Sequence, residues 1–276
     1  MPFFSYSEED AAKEARNMEP ETFSKSDQEE TVKAKNFFAR FGGVFSSPRE
    51  AFTEIGLAPR MVIPIIVLFL ISVFGGLYMA QKIDTRAVLQ AAADQAVRQG
   101  RITEEQANQQ MAITTAAVGP FMAVVSGISV LIICLVIAGY GKLFSMVAGA
   151  ENSYKNLFTV SLYAMLVVTV VSTVLMVIIL QVKGRGYIGA ADLSSIVSSS
   201  LGSWIESAAG ADALPKFIMG LAKAVDIFSI WTIALLSIGF SAVSKKLKTA
   251  SAAMWLVGAY LIIAVISAAF RSMTGA

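Results

Sequence analysis

The feature that most limits what this chain can become is a series of long, nearly uncharged apolar runs. Met61 to Ala80 reads MVIPIIVLFLISVFGGLYMA, and comparable runs cover about 118–147, 157–182, 217–243 and 250–270. A run of about twenty apolar residues is long enough, as a helix, to cross the hydrocarbon core of a bilayer. Backbone polar groups in lipid must be satisfied within the protein, so such runs fold as helices packed on one another. Composition agrees: 55% of the 276 residues are hydrophobic and only 15% are charged. Soluble domains carry roughly a quarter charged residues. The expected fold class is therefore an all-α polytopic integral membrane protein. It has five transmembrane helices, an N-terminal amphipathic helix and helical outer loops.

Several chemistries are excluded or weakened by what the sequence holds. The net charge is +2, which gives no basic field for nucleic acid. There is no histidine, so the commonest general base and metal ligand is missing. The single cysteine, Cys134, lies in an apolar run and has no partner for a disulfide or a thiolate metal site. Without histidine, an activated serine would need a lysine. The two nearby Ser–Lys combinations, Lys142 with Ser145 and Lys223 with Ser229, are poorly placed for that role. The first sits where a snorkelling lysine is expected, and the second is six residues apart on a helix. No metal, no cofactor and no enzymatic activity are expected.

The first 32 residues are acidic and poor in branched apolar side chains, and are expected to form a disordered cytoplasmic tail. Residues 33–60 read as interfacial helices. Phe37, Phe38, Phe41 and Phe45 fall near one helical face, and Arg40 is expected to meet anionic headgroups with its neighbouring lysines. The other reading of this stretch is a packing element against the spans. Gly42-Gly43 is expected to break the first helix. Ser47-Pro48-Arg49-Glu50 is expected to start a second with a capping box, and Phe52 and Ile55 make it amphipathic.

Residues 61–271 form the expected five-span domain, with outer loops at 81–117 and 183–216. The first loop reads as two helices, the second opened by Thr103 with Gln106 three residues later, a capping box. In the second loop, Asp192 could cap a short helix and Trp204 reads as an interfacial anchor. Lysines and arginines favour an N-terminus inside and a C-terminus outside. The clearest signal is Lys245-Lys246-Leu247-Lys248, in a short turn. Small residues from Ser251 to Ala259 suggest a packed face on the last span.

The fourth run carries two charges, Lys223 and Asp226. Three residues apart on one helix, they share a side and can pair. Ionisable groups inside a membrane are functional candidates by default. If the fully apolar part begins at Ile227, however, about seventeen residues remain to cross and both charges sit at the outer interface. The pair is thus an interface anchor, or the core of a polar cavity.

Three stretches together resemble the Yip family of membrane domains, named for Ypt-interacting proteins. They are FSSPREAFTEIGLAPRMVIPI, GAENSYKNLFTVSLYAML and VDIFSIWTIALLSIGFSAVSKKLKTASA. Pro48 and Phe52 resemble the family's Ser-Pro segment ahead of the first span. Asp226, Phe228 and Trp231 resemble its Asp-x-Phe-x-x-Trp start of span four. The resemblance implies five spans, a cytosolic N-terminal segment and a non-enzymatic role organising membrane or protein partners. The expanded, Gln-rich first outer loop is similar to bacterial members and implies the bacterial inner membrane. The partners expected are the lipid bilayer and a protein partner or a second copy. The competing class is a small transporter or channel built on Lys223 and Asp226.

Overall fold

The computed structural model describes residues 36–82, 85–182, 199–210 and 213–274. The acidic tail expected over 1–32 and the Asp192 cap lie outside the described residues. Ten helices are found among the described residues: α1 (Phe37–Ser46), α2 (Pro48–Leu57), α3 (Val62–Lys82), α4 (Thr85–Arg98), α5 (Glu104–Val147), α6 (Tyr154–Val182), α7 (Leu201–Ala209), α8 (Lys216–Ala224), α9 (Ile227–Ala242) and α10 (Thr249–Thr274). No strand is present among them. Four helical segments are long and apolar enough to cross a membrane: Val62–Lys82, Gly119–Val147, Tyr154–Val182 and Thr249–Met273. The chain is an integral membrane protein.

Span two and the second helix of the first outer loop are one helix rather than two. The 44 residues of α5 run about 66 Å at the usual rise per residue, well beyond a bilayer core. Thr103 and Gln106 form the expected capping box, with both reciprocal bonds present. The residues after it, rich in Ala and Gln, are good helix formers and offer nothing to stop the helix before the apolar part. Helix α4 packs back along the projecting part of α5.

Helices α3, α5 and α6 pack on one another, and α9 and α10 extend the bundle from α6. The α3–α5 contact is very close at Gly76, where a β-carbon would stand 2.8 Å from the Ala123 backbone. One core joins Leu157, Val160, Tyr163 and Val167 of α6 to Leu235, Leu236 and Phe240 of α9. On α10 the face turned inward is Ala252, Leu256, Ala264 and Ala268, a four-residue spacing that runs past the expected small-residue stretch. Gly258 has open space where a side chain would be.

Helices α1 and α2 belong to this core. Val44, Ala51, Phe52 and Ile55 are buried in the α6–α9 cluster. Gly42-Gly43 does not break α1, which continues to Ser46. Gly43 instead allows close approach, since a β-carbon there would lie 3.1 Å from that of Ala51. Ser47 stands at the start of α2 without a side-chain cap bond, so the expected capping box is not formed, although Pro48 holds the first helical position.

The expected continuous fourth span over 217–243 is interrupted. Helix α8 stops at Ala224 and α9 starts at Ile227, with Val225 and Asp226 extended between them. Alone, α9 has 16 residues, about 24 Å, short of the roughly 30 Å hydrocarbon core.

Candidate functional site

The break follows from local chemistry. Aspartate is among the strongest helix N-caps because its carboxylate accepts from the free amides of the first turn. Asp226 accepts from the backbone N–H of Ser229 at 2.9 Å and from its hydroxyl at 3.1 Å. A helix that starts at Ile227 leaves the last carbonyls of α8 and the first amides of α9 without helical partners. In a membrane protein these groups need partners from the protein.

The partners come from the start of α7, from Ser199 just before it and from α10. Leu201 N–H donates to the Val225 carbonyl at 2.8 Å, and Ile227 N–H donates to the Ser199 carbonyl at 3.3 Å. Ser200 and Asp226 thereby form a single antiparallel bridge. The Ser199 hydroxyl donates to the Asp226 carboxylate. The Tyr260 hydroxyl of α10 donates to the Ala224 carbonyl at 2.7 Å.

Helix α7 then lies directly on α8. Ser200 caps it, accepting from Ser203 N–H at 3.2 Å. Gly202 permits the approach: a β-carbon there would stand 2.5 Å from the Lys223 backbone nitrogen. One turn further, Glu206 meets Lys223, Oε2 to Nζ 2.8 Å, with side chains 36% and 26% exposed.

Lys223 and Asp226 are therefore not a pair on one helix. The helix ends between them, Lys223 pairs with Glu206, and Asp226 holds Ser199 and Ser229. Sequence reasoning missed Ser199, Gly202, Glu206 and Tyr260. One signal was available, since Asp226-x-x-Ser229 fits an N-cap followed by its third helical residue. Nothing in the pattern of the second outer loop pairs Glu206 with Lys223.

The remaining expected residues divide between packing and exposure. The Trp231 ring lies 5.7 Å from Phe45, which contacts Phe41 at 5.5 Å. Phe41 stacks on Phe37 at 6.3 Å, and Phe37 meets Tyr163 of α6 at 6.1 Å. An aromatic chain thus connects Trp231 of α9 to α1 and on to α6. Phe228 packs beside the same core, and Phe52 is wholly buried in it. Phe38 points out, 78% exposed, and Trp204 is half exposed on α7.

Arg40 differs from its expected place at the headgroups. It is 2% exposed, donates from a terminal guanidinium nitrogen to the Ala58 carbonyl at 2.7 Å, and lies beside Tyr163. The register of α1 explains this. Phe37, Arg40, Phe41 and Val44 share one face by the i, i+3, i+4, i+7 rule, and that face docks on the bundle.

The Ser–Lys combinations are also accounted for. Lys142 donates to the Asn152 carbonyl, and Ser145 donates to the Gly141 carbonyl while accepting from Asn152. Cys134 is buried, with its thiol directed at the Ser161 carbonyl. Among the described residues no group of three or more acidic or cysteine side chains is placed to hold a metal ion.

A model described as the Yip1 domain matches residues 42–270, most of the chain. The chain belongs to the Yip1-domain family. The match begins inside α1 and ends near the end of α10, so it takes in the second half of α1, all of α2 and the broken helix. No curated protein and no solved structure matches the chain. Asp226, Phe228 and Trp231, the residues of the family-like motif, are respectively the cap of α9, a core neighbour and the link to α1.

Proposed function

We propose that this Yip1-domain protein is a non-enzymatic organiser of membrane or protein partners in a bacterial inner membrane. In this reading α8 and α9 together make a fifth crossing, the N-terminus is cytoplasmic and the C-terminus lies outside. The observation that carries the reading is the consumption of the charged groups at the break. Lys223 is neutralised by Glu206, and the Asp226 carboxylate holds two hydroxyls and an amide. A permeation site needs polar groups free to exchange ligands with a solute. Here Lys223 is paired with Glu206 of α7, and Asp226 caps α9.

The contact surface in this reading is the outer face of α1 and α2, where Phe38 and Leu57 are strongly exposed beside the docked core. The test is photo-crosslinking in cells from a reactive residue at position 38, with and without Arg40→Ala to loosen α1. The expected result is a discrete protein adduct, homomeric or heteromeric, that is lost with Arg40→Ala. Adducts to lipid alone would contradict a protein contact at this face. A solute flux in proteoliposomes that Asp226→Asn abolishes would contradict the reading.

A further inference from the structure

At the other end of α9, two turns that join spans lie side by side. One is the α5–α6 turn, residues 148–153, and the other is the α9–α10 turn, residues 243–248. Lys246 of the second donates to the Gly149 carbonyl of the first at 3.4 Å. Against the first turn is a cavity of about 590 Å³, bordered by Lys142, Met146, Glu151, Asn152 and Ser153.

The charges around it are unbalanced. Lys142 donates to the Asn152 carbonyl at 2.7 Å. Among the described residues, neither Lys142 nor Lys246 has a carboxylate partner. Lys245 and Lys248 flank Lys246, and Lys155 opens α6 just beyond Ser153, while Glu151 is the one acid bordering the cavity. Carbonyls are neutral acceptors, and ammonium groups held only by them are open to an anion.

One border of the cavity is held by side-chain hydrogen bonding. Asn152 is 3% exposed and is fixed by donating to the Ser145 hydroxyl at 3.0 Å. Its Oδ1 has no hydrogen-bond partner. On the last turns of α5, beside these groups, Leu143, Met146 and Val147 are exposed apolar side chains. Polar groups beside an apolar strip, at the end of a span, match the two parts of a lipid. Basic pockets between spans are a recurring way to hold acidic headgroups.

We propose that this cavity binds the phosphodiester headgroup of an anionic phospholipid. The phosphate lies between Lys142 and Lys246, and the acyl chains run along Leu143, Met146 and Val147. The site stands apart from the α8–α9 break, so its failure would leave the proposed function untouched.

The test is native mass spectrometry of the full chain in detergent, with added phosphatidylglycerol or phosphatidylcholine. Retention of phosphatidylglycerol over phosphatidylcholine is expected, reduced about fivefold by Lys142→Ala and by Lys246→Ala. Lys246 is exposed, so its substitution leaves the fold intact if that of Lys142 does not. Glu151→Gln is expected to strengthen retention, and Lys82→Ala, at the far end of α3, to leave it unchanged. Equal retention of the two lipids, or equal loss with Lys82→Ala, would overturn the proposal. Displacement of the lipid by millimolar inorganic phosphate would also overturn it, by showing a site for free phosphate.

Discussion

At the scale of single residues, Asp226 decides the local structure. Its carboxylate caps α9 and holds the Ser199 hydroxyl, so removing it frees amides at the start of a helix and loosens the strand-like bridge. Asp226→Ala is expected to lower stability by about 1–2 kcal/mol, and Asp226→Asn by much less, because asparagine caps nearly as well. Thermal unfolding in detergent measures both. Equal losses from the two substitutions would show that charge, not capping, is what the position supplies. The Glu206–Lys223 pair is partly exposed and therefore worth less than its 2.8 Å separation suggests. A double-mutant cycle with Glu206→Gln and Lys223→Met is expected to give a coupling of about 1 kcal/mol or less. A larger value would mean the pair is sealed from water.

At the scale of elements, α7 is the part that holds the break together. It brings Leu201 N–H to the Val225 carbonyl, and it can do so only because Gly202 has no side chain. Gly202→Val places methyl groups inside the Lys223 backbone. The expected outcome is displacement of α7 and faster amide exchange over Ser199–Leu201 and Val225–Ile227. Unchanged exchange in both stretches would mean that the break stands without α7.

The same scale shows why some of the fold was legible in the sequence and some was not. Apolar length located α3, α6 and α10 because one property, hydropathy over twenty residues, fixes them. The Thr103 cap was legible because both partners of its box are three residues apart. The interruption at Asp226 was hidden by the hydropathy on either side of it. The pairing of Lys223 with Glu206 and the inward turn of Arg40 depend on how separate helices dock. The aromatic spacing of α1 did not show that Arg40 shares the docked face while Phe38 does not.

At the scale of the molecule, four segments satisfy the length and composition of a crossing, and α9 is a shorter apolar helix that follows α8 across the break. The backbone at the break is covered by Ser199, Leu201 and Tyr260, as a membrane requires of irregular structure. The central claim is that this broken helix crosses the bilayer as a sealed, structural fifth span. The most direct test is labelling with a membrane-impermeant maleimide in a Cys134→Ala background. Single cysteines would be placed at Ala208 on α7 and at Lys245 in the α9–α10 turn, both exposed. A fifth crossing predicts that sealed cells label Ala208→Cys from outside, while Lys245→Cys reacts only after the membrane is opened. Labelling of both from one side would contradict the account, because α8 and α9 would then enter and leave by the same face.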